Sequence, residues 1–340
     1  MGFMTDTPHA FLNCDWGTTR FRLRLVDIAS GTILKECISD QGAGVLSRET
    51  GLARAEHFQR VLQTHVIKLF EDSPTGNSPC PILISGMASS SLGWRELPYA
   101  RLPFSLAGEQ LVSMRITGQD HLRPFPIILI SGACNDHEVM RGEEMELIGI
   151  EALFAQQAAQ VSNYWVILPG THSKHARVQQ GTLTDFATFM TGELFQLLGR
   201  QSSLRHIAGD MTLLSRPERE TEGWQTAFAD GVKLSTQRDL SRLLFQVRTR
   251  QLLQRENRIQ SGGFLSGLLI GCELCALQLR TRENESLVLA AAPDLAEPYQ
   301  RASQLLGMKD RILTVPPADV SRLSALGQAR ILPRVLTERS

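Results

Sequence analysis

The chain has 340 residues, 42% of them hydrophobic and 21% charged, with 35 basic side chains balancing 35 acidic ones. That length accommodates two ordinary domains with sizeable cores, and the balanced charge argues against a nucleic-acid-binding surface or a disordered charged tail. No apolar run is expected to reach the roughly 18 to 20 residues of a membrane span, and MGFMTDTPHAF lacks the basic start and apolar stretch of a secretion signal, so a cytoplasmic protein with a small-molecule partner is expected.

Period-two alternation predicts a strand at 11–14, a turn at 15–19 (DWGTT), a strand over 20–27 with Phe21, Leu23 and Leu25 on one face, a turn at Ser30-Gly31 and a strand at 32–38. Ala55, Phe58, Leu62, Val66 and Leu69 recur at helical spacing and predict a helix over 52–70. The loop EDSPTGNSPCP then leads to a buried strand at 82–85. A second all-apolar strand (127–131) passes through GACNDHEVMRG into a helix starting near Gly142, with Leu147, Ile148 and Leu153 inward.

Roughly 150 residues after its first appearance the opening pattern returns in YWVILPGTHSKHARVQQGTLTDFATFM. Gly17-Thr18-Thr19 is echoed by Gly170-Thr171-His172, and Gly31-Thr32 by Gly181-Thr182. A repeat of this length marks a duplicated domain. Helices near 240–253 and 263–280, a strand at 287–292, a helix near 296–306, a strand at 311–315 and a closing helix at 320–332 are predicted beyond it. Six cysteines scattered through a large chain suit reduced thiols, and Cys272 and Cys275, a C-x-x-C in an apolar helical stretch with no second pair, read as core packing. We expect two α/β domains, 8–158 and 159–333, facing each other across a cleft.

A turn of successive backbone N–H groups makes an anion-binding concavity, glycine lets the backbone come close, and threonine hydroxyls add donors. Gly-Thr is also a common hairpin dipeptide, but two copies at matching points of a duplicated chain fit one turn for each end of a polyphosphate. Asp15, at the strand end before the first turn, either holds Mg²⁺ through water or forms an Asx-turn on its own backbone. Neither G-x-x-x-x-G-K-[ST] nor G-x-G-x-x-G after a strand occurs, so neither a P-loop enzyme nor a Rossmann dehydrogenase is supported.

DWGTT (15–19), ISGMASSSLGW (84–94), VMRGEEMELIG (139–149), LPGTHSKH (168–175), FATFMTGEL (186–194) and FLSGLLIG (264–271) together resemble the 2-dehydro-3-deoxygalactonokinase family, a branch of the sugar kinase, heat-shock chaperone and actin superfamily. The resemblance implies two duplicated actin-like ATPase (ribonuclease H-like) domains with mixed sheets flanking a nucleotide cleft. It also implies ATP- and Mg²⁺-dependent phosphorylation of the 6-hydroxyl of 2-dehydro-3-deoxy-D-galactonate in galactonate breakdown. It makes Asp15, Gly17, Thr18 and Thr19 the first phosphate loop and Gly170, Thr171, His172 and Ser173 the second. Gly86, Met87, Ser90 and Trp94 fall in the sugar-acid pocket, and FLSGLLIG packs the nucleotide-side domain. Where relatives carry a glycine in the adenosine-binding turn, this chain has Ala290-Ala291-Ala292-Pro293.

A carboxylate near the attacking hydroxyl assists phosphoryl transfer, and CNDHEVMRGEE offers Asp136, Glu138, Glu143 and Glu144. Asp136 is preferred as base, with Glu143 second; Glu143 and Glu144 are equally explained as acids favoured by a helix dipole, and Asp136 as a plain loop acid. Arg141 either clamps the substrate carboxylate or pairs with Glu143 or Glu144. Trp94 is an apolar wall for the sugar chain or simple packing. His172 and His175 fall on opposite faces of an extended segment, which argues against a zinc pair; His172 is expected to donate to a phosphate, and Lys174 either does the same or is solvated. Domain closure on substrate is expected, a homo-oligomer is left open, and neither nucleic acid nor membrane is a partner. The rivals are a kinase of another hexose or sugar acid and a non-catalytic sugar-binding regulator, whose helix-turn-helix has no room before the first strand.

Overall fold

The opening meander forms three antiparallel strands, β1 (Ala10–Trp16), β2 (Phe21–Asp27) and β3 (Ile33–Ser39). They belong to a computed structural model that describes residues 8–47, 51–71, 80–116, 126–157, 161–205, 210–282 and 285–338. Phe21 and Leu23 are buried in the core and Leu25, half-buried, packs against it as the alternation demands, while β3 carries a bulge opposite Leu25 and Val26. A short helix α1 (Ala43–Leu46) precedes α2 (Gly51–Phe70), whose Phe58, Leu62, Val66 and Leu69 are buried and whose Ala55 packs at the edge of the same core.

Next come β4 (Ile82–Gly86), the short β5 (Ala100–Arg101) and β6 (Phe104–Ser105), β7 (Ser113–Ile116) and β8 (Ile127–Ile130). The short β9 (Ala133–Cys134) and β10 (Val139–Met140) lead to helix α3 (Glu143–Gln156). The first sheet runs β3-β2-β1-β4-β8-β7, with β1, β4 and β8 parallel and the outer strands antiparallel. Buried on both faces, central strands such as β4 and β8 read as continuous apolar runs.

The repeat forms β11 (Asn163–Leu168), β12 (Ser173–Gln179) and β13 (Thr182–Phe189). Helices α4 (Thr191–Arg200), α5 (Arg216–Arg219), α6 (Glu222–Ser235), α7 (Leu240–Leu244), α8 (Gln246–Gln254) and α9 (Arg258–Arg280) follow. The chain ends through β14 (Ser286–Leu289), α10 (Pro293–Leu305), β15 (Ile312–Thr314), α11 (Pro317–Val320) and α12 (Leu323–Thr337). The strand order β13-β12-β11-β14-β15 matches β3-β2-β1-β4-β8, with the last three strands parallel in each case. The duplication in sequence is thus a duplication in topology.

The chain divides into two compact units, one comprising Met1–Ser162, Gln179–Asp185 and Ser321–Ser340, the other Asn163–Val178 and Phe186–Val320. The boundary expected at 158–159 lies outside the described residues. The closing helix α12, although last in the chain, packs in the first unit: Gly149 leaves no room for a Cβ, which would lie 2.0 Å from the Leu323 carbonyl oxygen, and Gln328 donates to Cys14 O and Ser85 Oγ.

One expectation is corrected. Helix α9 is long and apolar enough to cross a membrane by length and composition, yet 72% of its most apolar window is buried inside the protein. Its glycine stripe explains the burial. A Cβ on Gly263 or Gly267 would lie 2.5 or 2.0 Å from the Trp224 or Phe228 carbonyl oxygen, so α6 and α9 pack backbone to backbone. Cys275 is buried beside Ser235, and Cys272 packs at the edge of the neighbouring apolar cluster.

Candidate active site

In the first unit, parallel pairing sets Asp15 beside Ser85 and Trp16 beside Gly86, so the carboxyl ends of β1 and β4 are adjacent. Gly86 has φ +87°, and a Cβ there would sit 2.6 Å from the Trp16 carbonyl oxygen; Gly142, at φ +117° before α3, lies against Gly86. Only glycine allows these three chain segments to meet so closely. The Gly17 N–H donates to Arg20 O (2.8 Å), closing the turn, and Thr18 and Thr19 are exposed on it. The Ala43 and Gly44 N–H groups donate to the Gly17 and Thr18 carbonyls at 3.0 and 2.8 Å, and Gly42 presses against Thr18. Asp15 is held by Arg22 at 2.8 Å.

The acids separate by position. Asn135 accepts from the His137 and Glu138 N–H groups and forms the turn that presents Asp136 outward, where its side chain is 81% exposed and paired with Arg101 at 3.0 Å. Glu143 accepts from the Arg141 N–H (2.9 Å) and Glu144 from the Gly142 N–H (2.7 Å), so both carboxylates fold back on the backbone that leads into α3. Glu144 is fully buried; burial, then the Glu143 charge, pushes its carboxyl up to about 8. Glu146, further along the same VMRGEEMELIG stretch, is likewise raised to about 8 by burial and by Asp15 and Glu143, against the pull of Arg22 and Arg24. Asp15, Glu143 and Glu146 therefore share one electrostatic neighbourhood, while Asp136 stands exposed beside Arg101.

Arg141 is occupied. Its Nη1 donates to Ser89 O (2.5 Å) and Ser89 Oγ (2.8 Å), its Nη2 to Leu97 O (3.2 Å), and it stacks on the Tyr99 ring at 4.0 Å. These contacts tie the loop after β4 to the start of α3, and the guanidinium charge also acts on Glu144. Trp94 is 8% exposed and packs near Trp16 and Phe58 in the core. Ser90 is buried with its hydroxyl donating to Met87 O, and Met87 is half-buried against the same core.

In the second unit, Thr171 and His172 are exposed on the turn while Ser173, Lys174 and His175 are buried. Lys174, expected to be a phosphate donor or solvated, donates to the His172 carbonyl at 3.3 Å. The Glu193 N–H donates to Thr171 O at 3.0 Å, and a Cβ on Gly192 would lie 2.4 Å from Gly170 O, so the start of α4 backs this turn as Gly42 and α1 back the first. His172 Nε2 lies 2.5 Å from Glu193 Oε2. A cavity of about 690 Å³, counting its open mouth, begins at Gly170. Phe195, Met211, Trp224, Leu269 and Pro298 make it mainly apolar, with Thr212, Arg219 and Asp294 as polar members. The Ala290-Ala291-Ala292-Pro293 turn is buried at its first two residues and starts α10, which supplies Asp294, Leu295, Pro298 and Tyr299 to the wall.

Two α/β units of like strand order, each with a backed Gly-Thr turn after its first strand, make a duplicated fold with mixed sheets, here in the class of phosphotransferases with an alcohol group as acceptor. A solved structure of a Sinorhizobium meliloti protein assigned as a 2-dehydro-3-deoxygalactonokinase superposes with a TM-score of 0.75 at 27% identity, covering 95% of this chain and 99% of that one. The probable 2-dehydro-3-deoxygalactonokinase of Rhizobium meliloti (strain 1021) is 30% identical over 93% of this chain and 95% of its own length. The 2-dehydro-3-deoxygalactonokinase of Escherichia coli (strain K12) is 36% identical over 67% of this chain and 71% of its own length. The chain belongs to the 2-keto-3-deoxy-galactonokinase family, whose model matches residues 15–326.

Proposed function

We propose that this protein is a cytoplasmic kinase that transfers the γ-phosphate of ATP to the 6-hydroxyl of 2-dehydro-3-deoxy-D-galactonate, a step of galactonate catabolism. The observation that carries the reading is a family match spanning both Gly-Thr turns. The apolar cavity beside Gly170 suits a nucleoside, and the exposed Thr171 and His172 suit its phosphates. Thr18 and Thr19 offer phosphate donors in the first unit, with Gly17 allowing close approach. Gly86 and Gly142 form the backbone corner against which the sugar acid is placed, with Met87 beside it.

Among the described residues no group of three or more His, Cys, Asp or Glu side chains is placed to hold a metal. Mg²⁺ keeps most of its waters and needs one or two carboxylates plus phosphates. Asp15, its side chain 23% exposed at a strand end, fits that demand through a bound water. Mg²⁺ there would neutralise charge on the transferring phosphate.

Glu143 is the better placed base. It shares the neighbourhood of Asp15, whereas Asp136 is engaged at the surface by Arg101. In the transfer, the 6-hydroxyl oxygen bonds to the γ-phosphorus, the bond to the ADP oxygen breaks, and the hydroxyl proton passes to the Glu143 carboxylate. Positioned acids and bases contribute about 10²–10⁴-fold. With ADP release followed across a panel of keto-deoxy sugar acids, Glu143→Gln is expected to lower kcat in that range with KM nearly unchanged, and Asp136→Asn to stay within about threefold. Equal, mild losses in both variants would remove Glu143 from the role; turnover of a different sugar acid in preference would redirect the substrate.

A further inference from the structure

We propose that Glu273 is a positioning residue for the second Gly-Thr turn, acting through Tyr299 and Ser173 to fix the backbone that receives the phosphates of ATP. The inference rests on the kinase reading above and goes beyond it, because none of these three side chains was assigned a phosphate contact by its geometry.

Glu273 stands on α9 with a side chain 1% exposed. Its Oε1 accepts from His175 Nε2 at 2.8 Å, and its Oε2 accepts from the Tyr299 hydroxyl at 2.7 Å and from the Thr191 hydroxyl. One carboxylate thereby ties together β12, α4 and α10. A buried carboxylate is tolerable only with its lone pairs met by donors, and this one has three.

The order of protons along the chain follows. Burial and the Glu273 charge push the Tyr299 hydroxyl well above its ordinary range, so it keeps its proton and gives it to Glu273. The Tyr299 oxygen can then only accept from Ser173 Oγ, 3.2 Å away. Ser173 has one proton; with that committed, its lone pairs accept the Gly170 N–H at 3.3 Å. The competing contact from Ser173 Oγ to Gly170 O is 3.5 Å, at the limit of a hydrogen bond. Ser173 is therefore an inward brace and has no hydroxyl proton for a phosphate. The donors left to the ligand are those of Thr171 and His172. Thr191 adds a second line of support, since it begins the helix whose Gly192 and Glu193 meet the turn from the other side.

Tyr299 and Thr191 also line the apolar cavity, whereas Ser173 and Glu273 do not, so Ser173 is the link that separates the brace from the nucleoside seat by experiment. Affinities for ATP and for adenosine would be measured in the wild type, Ser173→Ala, Tyr299→Phe and the double variant, with thermal melts alongside. Each single variant is expected to weaken ATP about tenfold, as a misplaced binding group does, while adenosine stays within about twofold in Ser173→Ala, whose side chain lies outside the cavity wall. The double variant is expected to be no worse than the weaker single, because both cut one chain. Glu273→Gln keeps an acceptor oxygen for Tyr299 and Thr191 and is expected to retain ATP affinity better than Glu273→Ala. Equal weakening of ATP and adenosine in Ser173→Ala, unchanged ATP affinity in folded variants, or losses that multiply in the double variant would overturn the brace. A wild type that binds ATP but phosphorylates no sugar acid would fail the kinase reading and leave the brace standing on its own measurements.

Discussion

The two Gly-Thr turns share a backbone solution and differ in the side chains behind it. Each is backed by a glycine at or just before the start of a helix, Gly42 for the first and Gly192 for the second, whose missing Cβ lets the turn's carbonyls approach. Two residues before the glycine of the first turn stands Asp15, paired with Arg22; the matching position of the second is the buried Leu168. The first turn thus carries charge at its strand end and is held by backbone donors. The second is uncharged there and is held from inside by a buried polar chain. A duplicated unit can keep the shape that accepts phosphate while one copy specialises in charge and the other in rigidity.

The largest effects should come from the shared element. A Cβ on Gly42 or Gly192 would lie 2.4 Å from the Thr18 or Gly170 carbonyl oxygen, and both neighbours are backbone that cannot swing away. Gly42→Ala and Gly192→Ala are each expected to lower kcat/KM about a hundredfold, the scale of an ångström-sized misplacement. Gly170 sharpens the test, for nothing lies within 4 Å of a Cβ built there. Gly170→Ala should therefore melt like the wild type and still bind ATP more weakly. Wild-type ATP affinity in that variant would show that no phosphate approaches this turn.

What could be read in the sequence was local. Alternation gave β1 to β3 and β11 to β13, and glycine beside threonine marked both turns, because each signal spans only a few residues. Partnerships over long separations were not legible. Nothing near Arg141 in sequence indicates that its guanidinium is consumed by Ser89 and Leu97, and nothing near His175 on β12 points to Glu273 on α9. Asp136 and Glu143 looked alike as acids; the Asn135 turn sends one outward to Arg101, and the helix start keeps the other near Asp15. The membrane-like composition of α9 became intelligible only with the glycine contacts of α6 in place.

The units also differ in how they bury a glutamate. Glu273 meets three side-chain donors, whereas Glu144 has the Gly142 N–H on one oxygen and, among the described residues, no hydrogen-bond partner on the other. With its carboxyl raised to about 8 from an ordinary 4.5, Glu144 stays protonated in the native state where the unfolded chain has already lost the proton. The native state binds the extra proton between these values, so stability falls as pH rises through the window and the cost is complete above about 8. The upper bound is about 5 kcal/mol, from 1.36 kcal/mol per unit. Glu146 adds a contribution of the same sign. Glu144→Gln, which mimics the protonated acid, should flatten the fall in denaturant midpoint from pH 5 to pH 8; an unchanged slope would mean that Glu144 titrates normally.

The smallest effect expected is at the exposed end of the second turn. His172 occupies the place of Thr19 in the first, and its ring faces Glu193 with both side chains a third or more exposed. Exposed pairs of this kind are worth about 0–1 kcal/mol, so His172→Ala should shift the melting temperature by less than about 2 °C. Its effect on ATP separates two ways in which the turn could hold a phosphate. If the backbone N–H of residue 172 is the donor, as Thr19 suggests for a turn whose residues differ in side chain and agree in backbone, KM for ATP rises no more than about threefold. A rise beyond about tenfold would make the imidazole itself the donor. The second turn would then depend on a side chain at its tip as well as on the brace beneath it, and its likeness to the first would stop at the path of the chain.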